Sequence, residues 1–80
     1  MNTPEKTSVE TQDIILAATL KTLGYKLEGI EKIGNRGIFF FKDVPDSAVS
    51  EYYLGSILVE PQAFNAATKA LTTAARRKVD

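Results

Sequence analysis

Eighty residues are enough for one domain and too few for two, and a chain of this length buries only roughly 60% of the surface its unfolded form exposes. It contains no Cys and no His, which excludes disulfides, thiol nucleophiles, imidazole bases, Ser-His-Asp triads and Cys/His zinc sites. Ten basic residues balance ten acidic ones, a point against a dedicated duplex-DNA binder, which carries a basic excess.

The chain begins Met1-Asn2-Thr3-Pro4-Glu5-Lys6, polar and leading into no hydrophobic run, so no secretory signal is read there. Residues 1–10 are expected to be a mobile tail and residues 11–80 a single domain. Thr11 is the expected N-cap of a helix over Gln12–Leu23, with Asp13 in its first turn. Leu16, Leu20 and Leu23 lie on one face with Ala17 beside them, while Ile14 and Ala18 fall on the other side, so the helix is a candidate for cover from two sides. Gly24 suits the left-handed position that ends it. The longest strictly apolar stretch, Ile14–Ala18, is far short of the roughly twenty residues of a membrane span, and a cytoplasmic location follows by default.

Tyr25–Ile33 and Ile38–Lys42 read as two strands reversed by Gly34-Asn35-Arg36-Gly37. Leu27, Ile30 and Ile33 are three apart, which breaks period two; a bulge at Gly29 would restore the phase. In the second strand Ile38 and Phe40 point one way and Phe39 and Phe41 the other, so both faces are apolar. Asp43–Ser47 reads as a turn and Asp46–Leu54 as a short helix stopped by Gly55. Ser56–Val59 could add a short third strand at the sheet edge. Pro61 then opens a last helix reaching about Lys78. Its stripe is Phe64, Ala67, Leu71 and Ala74, with Ala63, Ala66, Ala70 and Ala75 keeping the rest slim. The expected fold is α+β: a small antiparallel hairpin covered on one face by the first and last helices, plus one short helix, in the order α-β-β-α-(β)-α.

The runs Thr11–Ala18, Leu23–Leu27, Phe39–Asp43, Tyr52–Gly55 and Leu58–Pro61 with Phe64 resemble, in order and spacing, a family of small uncharacterised proteins encoded by phages, plasmids and integrative elements, often near replication genes. The resemblance covers about residues 11–75. It implies a mobile-element origin and a setting of DNA replication or element control, and it supplies no active site.

Four groups of residues are candidates for function. Phe39 and Phe41, with Lys26, Lys32, Arg36 and Lys42 nearby, could stack and hold single-stranded nucleic acid; the favoured alternative is that the phenylalanines are core, since large side chains carry most of a small core's burial, and Glu28 and Glu31 dilute the charge. Lys69, Arg76, Arg77 and Lys78 could hold phosphates or only compensate the helix dipole. Tyr52 and Tyr53 point about a hundred degrees apart, so one is expected in the core and the other as an interface anchor. Asp43 and Asp46, with Glu51 beyond, match no calcium loop, and capping of the helix at Asp46 accounts for them. No catalytic residue, metal site, cofactor or small-molecule substrate is expected. The reading is a non-enzymatic binding module acting by protein–protein contact or self-association, an adaptor or accessory subunit of replication machinery. The alternative is a single-stranded nucleic-acid-binding accessory protein.

Overall fold

Ile33 and Arg36 pair directly, so the chain reverses between them, and Gly34 adopts the positive φ of 62° that a tight hairpin turn requires. The computed structural model describes residues 6–34 and 36–79, which leaves residues 1–5, Asn35 and Asp80 outside the described residues. Around that hairpin the chain runs β1 (Lys6–Thr11), α1 (Ile14–Thr22), β2 (Lys26–Ile33), β3 (Arg36–Pro45), α2 (Asp46–Leu54) and α3 (Pro61–Val79). The strands make one antiparallel sheet in the order β1-β3-β2. The α+β class and the order from α1 to α3 are as expected.

The third strand is not where the residues suggested. Residues 6–10, expected as part of a mobile tail, pair along β3 as β1, while Ser56–Glu60 is irregular. A hairpin leaves the outer edge of β3 with unpaired N–H and C=O groups, and a strand entering from the N-terminal side satisfies them. Thr7, Val9 and Thr11 alternate toward the core, and the partly buried Val9 packs against it.

Helix ends follow local chemistry, with one exchange of roles. Asp13, not Thr11, is the N-cap of α1, its Oδ1 accepting the Ile15 N–H at 2.9 Å; Thr11 Oγ1 instead accepts the N–H of Asp13. The helix therefore starts at Ile14 rather than Gln12. Gly24 and Gly55 follow the helices with φ of 97° and 75°. Glu60 caps α3, its two carboxylate oxygens accepting the N–H groups of Gln62 and Ala63, with Pro61 at the first helical position. No side chain caps α2: Pro45 holds the cap position and Asp46 sits in its first turn, accepting Thr7 Oγ1 at 3.4 Å. Asp43 does not initiate a turn before that helix. It lies inside β3 at φ 57°, the left-handed residue of a bulge in which Lys42 and Asp43 stand opposite the single residue Ser8. The extra residue resets the alternation, so Val44 falls fully into the core.

A second bulge places Glu28 as the extra residue between Leu27, opposite Phe41, and Gly29, opposite Phe40. It brings Leu27 and Ile30 onto one face, as the broken period required. Ile33 does not join them: opposite Arg36 on the other face, it is 60% exposed. Both helices lie on the face of Phe39 and Phe41, α1 toward β1 and α3 toward β2 and β3. The core joins Leu16, Ala17, Ala18 and Leu20 of α1 to Ile30, Phe39, Phe41, Val44, Ala48, Ala67 and Leu71. Five consecutive residues of α1, Leu16–Leu20, are buried, which only cover from both sheet and α3 can produce. α3 passes close to β3 at Gly37, where an added Cβ would stand 3.4 Å from the Cβ of Ala75.

Candidate functional site

The direction of β3 decides the fate of the aromatic platform. Phe39 and Phe41 are 3% and 1% exposed, buried beneath α1 and α3 within a single chain. Neither can stack on a nucleobase, and the platform built on them is set aside. Alternation instead leaves Arg36, Ile38, Phe40 and Lys42 on the face away from α1 and α3, where Ile38 is still buried and Phe40 is half-buried.

The expected basic residues do not converge. Lys26, Arg36 and Lys42 share the uncovered face, but Glu10, Glu28 and Glu31 are set around them. Lys42 pairs with Glu28 at 3.6 Å, and Arg36 Nη1 donates to Gln12 Oε1 at 3.2 Å. Three cations against three carboxylates give this face no net positive potential to hold a phosphate backbone. Lys32 occupies the register position opposite Gly37, on the helix-covered side. Lys69 and Arg77 line a groove on the α3 side, and Arg76 is exposed. The Lys78 side chain lies outside the described residues.

The two tyrosines differ in exposure. Tyr52 is half-buried against the core, and its hydroxyl donates to Asp13 Oδ2 at 3.1 Å. One carboxylate thus caps α1 with one oxygen and ties α2 to it with the other. Partial burial, then the hydrogen bond to Asp13 and its negative charge, hold the Tyr52 phenol above its ordinary value near 10. Tyr53 stands edge-on to Tyr52, ring centroids 5.2 Å apart, and is 71% exposed.

Tyr53 opens a ridge that the residue pattern did not single out. Leu54 is 81% exposed and Leu58 92%, so three large apolar side chains within six residues face solvent. Ile57 and Val59, on either side of Leu58, are half-buried. The signal was present as the run Ile57-Leu58-Val59, but a run of three apolar residues does not say which is left out.

A second surface lies between β2 and α3. It is an open groove of about 850 Å³, floored by Leu27, Gly29 and Ile30 and walled by Lys69, Ala70, Thr73, Ala74 and Arg77 of α3, with Glu28 at its rim. Among the described residues no three carboxylates come together as a metal site, and no helix is long and apolar enough to cross a membrane. No family model, no curated protein and no solved structure matches the chain, so the resemblance to mobile-element proteins rests on the residues quoted for it alone.

Proposed function

We propose that this protein is a non-enzymatic binding module that docks on another protein through the ridge Tyr53, Leu54 and Leu58. The observation that carries the reading is the exposure of Leu54 and Leu58 at 81% and 92% on the least covered part of the fold. Single exposed apolar residues are ordinary. Three within six residues of the chain offer apolar area whose burial in a partner would contribute about 1.5–3 kcal/mol for each aliphatic side chain. Tyr53 adds a rigid amphipathic ring of the kind that anchors interfaces. In the setting that the family resemblance implies, the partner is a protein encoded by the same mobile element, and the domain serves as an accessory subunit of its replication machinery.

The test places a photo-crosslinker at position 58 and, as a control, at the exposed Ala66 of α3, in cells producing the neighbouring proteins. A discrete adduct from position 58 alone, lost in a Tyr53→Ser/Leu54→Ser background, is the expected result. A protein that sediments as a monomer and forms no such adduct with any element-encoded partner would sink the reading. Salt-sensitive binding to single strands that survives Leu54→Ser and Leu58→Ser would put nucleic acid in its place.

A further inference from the structure

Two helices side by side, each about 10 Å across, cover about 20 Å of sheet, whereas three strands spaced about 4.8 Å apart fill only about 14 Å. The difference is about one strand. α3 lies over β2, and a groove opens between them.

We propose that this groove takes an extended segment of a partner protein as a fourth strand, paired along the outer side of β2 and carrying acidic side chains toward α3. Three features support that occupant. β2 is an edge strand, with no neighbouring strand on its outer side among the described residues, and beyond the Glu28 bulge its ladder to β3 is regular from Gly29 to Ile33. The wall is made of small side chains, Ala70, Thr73 and Ala74, over the apolar floor of Leu27 and Ile30, which leaves room for a medium apolar side chain of the incoming strand. The ends of the wall are cationic. Lys69 and Arg77 are eight residues apart, about 12 Å along a helix. Residues i and i+4 of a strand lie on one face about 13 Å apart. A segment reading acid-x-apolar-x-acid therefore sets its two carboxylates at the two cations and its apolar residue between them. Among the described residues no carboxylate pairs with Lys69 or Arg77, and the one carboxylate at the rim, Glu28, is engaged by Lys42.

The chemistry distinguishes this occupant from a nucleic-acid strand, which would meet the cations but could not complete the backbone ladder. The site is separate from the Tyr53–Leu58 ridge, so the two proposals fail independently.

The test titrates the full-length protein with the labelled peptide Thr-Glu-Thr-Val-Thr-Glu-Thr, following both fluorescence anisotropy and amide shifts in a ¹⁵N-labelled sample. Expected are saturable binding, shifts and slowed exchange at Gly29–Lys32 with shifts along Ala70–Arg77, and at least a tenfold loss of affinity in Lys69→Glu/Arg77→Glu. Plugging the groove with Ala70→Trp at an exposed position abolishes binding while the circular dichroism spectrum is kept, and Leu58→Ser leaves it unchanged. A peptide N-methylated at alternate amides, or one with Lys in place of Glu, binds at least tenfold more weakly. No binding at millimolar peptide, equal binding by the N-methylated peptide, or shifts confined to the uncovered sheet face would each overturn the proposal. So would an oligothymidylate that binds where the peptide does not and responds to the same charge reversals.

Discussion

Phe40 and Phe41 are neighbours in one strand with the same side chain, so substituting each to alanine isolates the direction in which β3 faces. Phe41 is 1% exposed and is among the largest fully buried side chains. Phe→Ala in a well-packed core costs about 3–5 kcal/mol, the sum of lost transfer energy and a residual cavity. A chain of 80 residues has a total stability of roughly 4–12 kcal/mol at the usual per-residue scale, so Phe41→Ala removes a large share of it. Phe40 is half-buried on the uncovered face, and its truncation leaves no enclosed cavity. Its cost should stay near 1 kcal/mol, within the range of ordinary substitutions. Urea unfolding followed at 222 nm reads both: with a slope of about 1–1.5 kcal/mol/M, Phe41→Ala lowers the midpoint by about 2 M or more and Phe40→Ala by about 1 M or less. If Phe41→Ala does not fold, Phe41→Leu against Phe40→Leu keeps the comparison at a smaller scale, about 1 kcal/mol for the buried position. Equal costs at the two positions, or a larger one at Phe40, would refute the burial of this face and with it the rejection of the Phe39–Phe41 platform.

Close approach of α3 at Gly37 makes that position sensitive to size. Gly37→Ala places a methyl group 3.4 Å from Ala75 and should be nearly neutral, whereas Gly37→Leu overpacks the contact by about 1–3 kcal/mol. Thermal melts should show a fall of at least 4 °C for leucine alone, since about 1 kcal/mol moves Tm by roughly 4–8 °C in a domain of this size. Replacing Glu60 by Ala removes both N–H acceptors at the start of α3 and should cost about 1 kcal/mol by urea titration, with Glu60→Asp recovering part of it. The Tyr52 phenol is raised in the folded state, so its contribution is complete below about pH 10, where both states keep the proton. As pH climbs past 10 the unfolded chain ionises first and stability falls until the folded phenol also ionises. Tyr52→Phe should flatten that alkaline decline in urea midpoints; an unchanged slope would remove the Tyr52–Asp13 hydrogen bond as its source.

Much of this fold is written in single residues. Gly24 and Gly55 end their helices, Gly34 turns the hairpin, Pro61 opens α3, and the three-residue spacing of Leu27, Ile30 and Ile33 announces the bulge beside Gly29. Each is a local matter of φ, a missing N–H or a side-chain period. The absence of Cys and His likewise narrows the chemistry without any coordinates. What the residues could not show is non-local. β1 carries one apolar residue, Val9, and forms because its backbone satisfies the edge of β3, a need that leaves little trace in side chains.

Composition and pattern by themselves determined a small α+β domain with an apolar strand on two fronts. Only the tertiary structure decided which front is covered. Phe39 and Phe41 against Ile38 and Phe40 are equal in hydrophobicity and in period. The choice between them falls to two bulges that set the phase of the sheet and to two helices that can pack on only one of its faces. That choice removed the aromatic platform. It also left an open groove between β2 and α3.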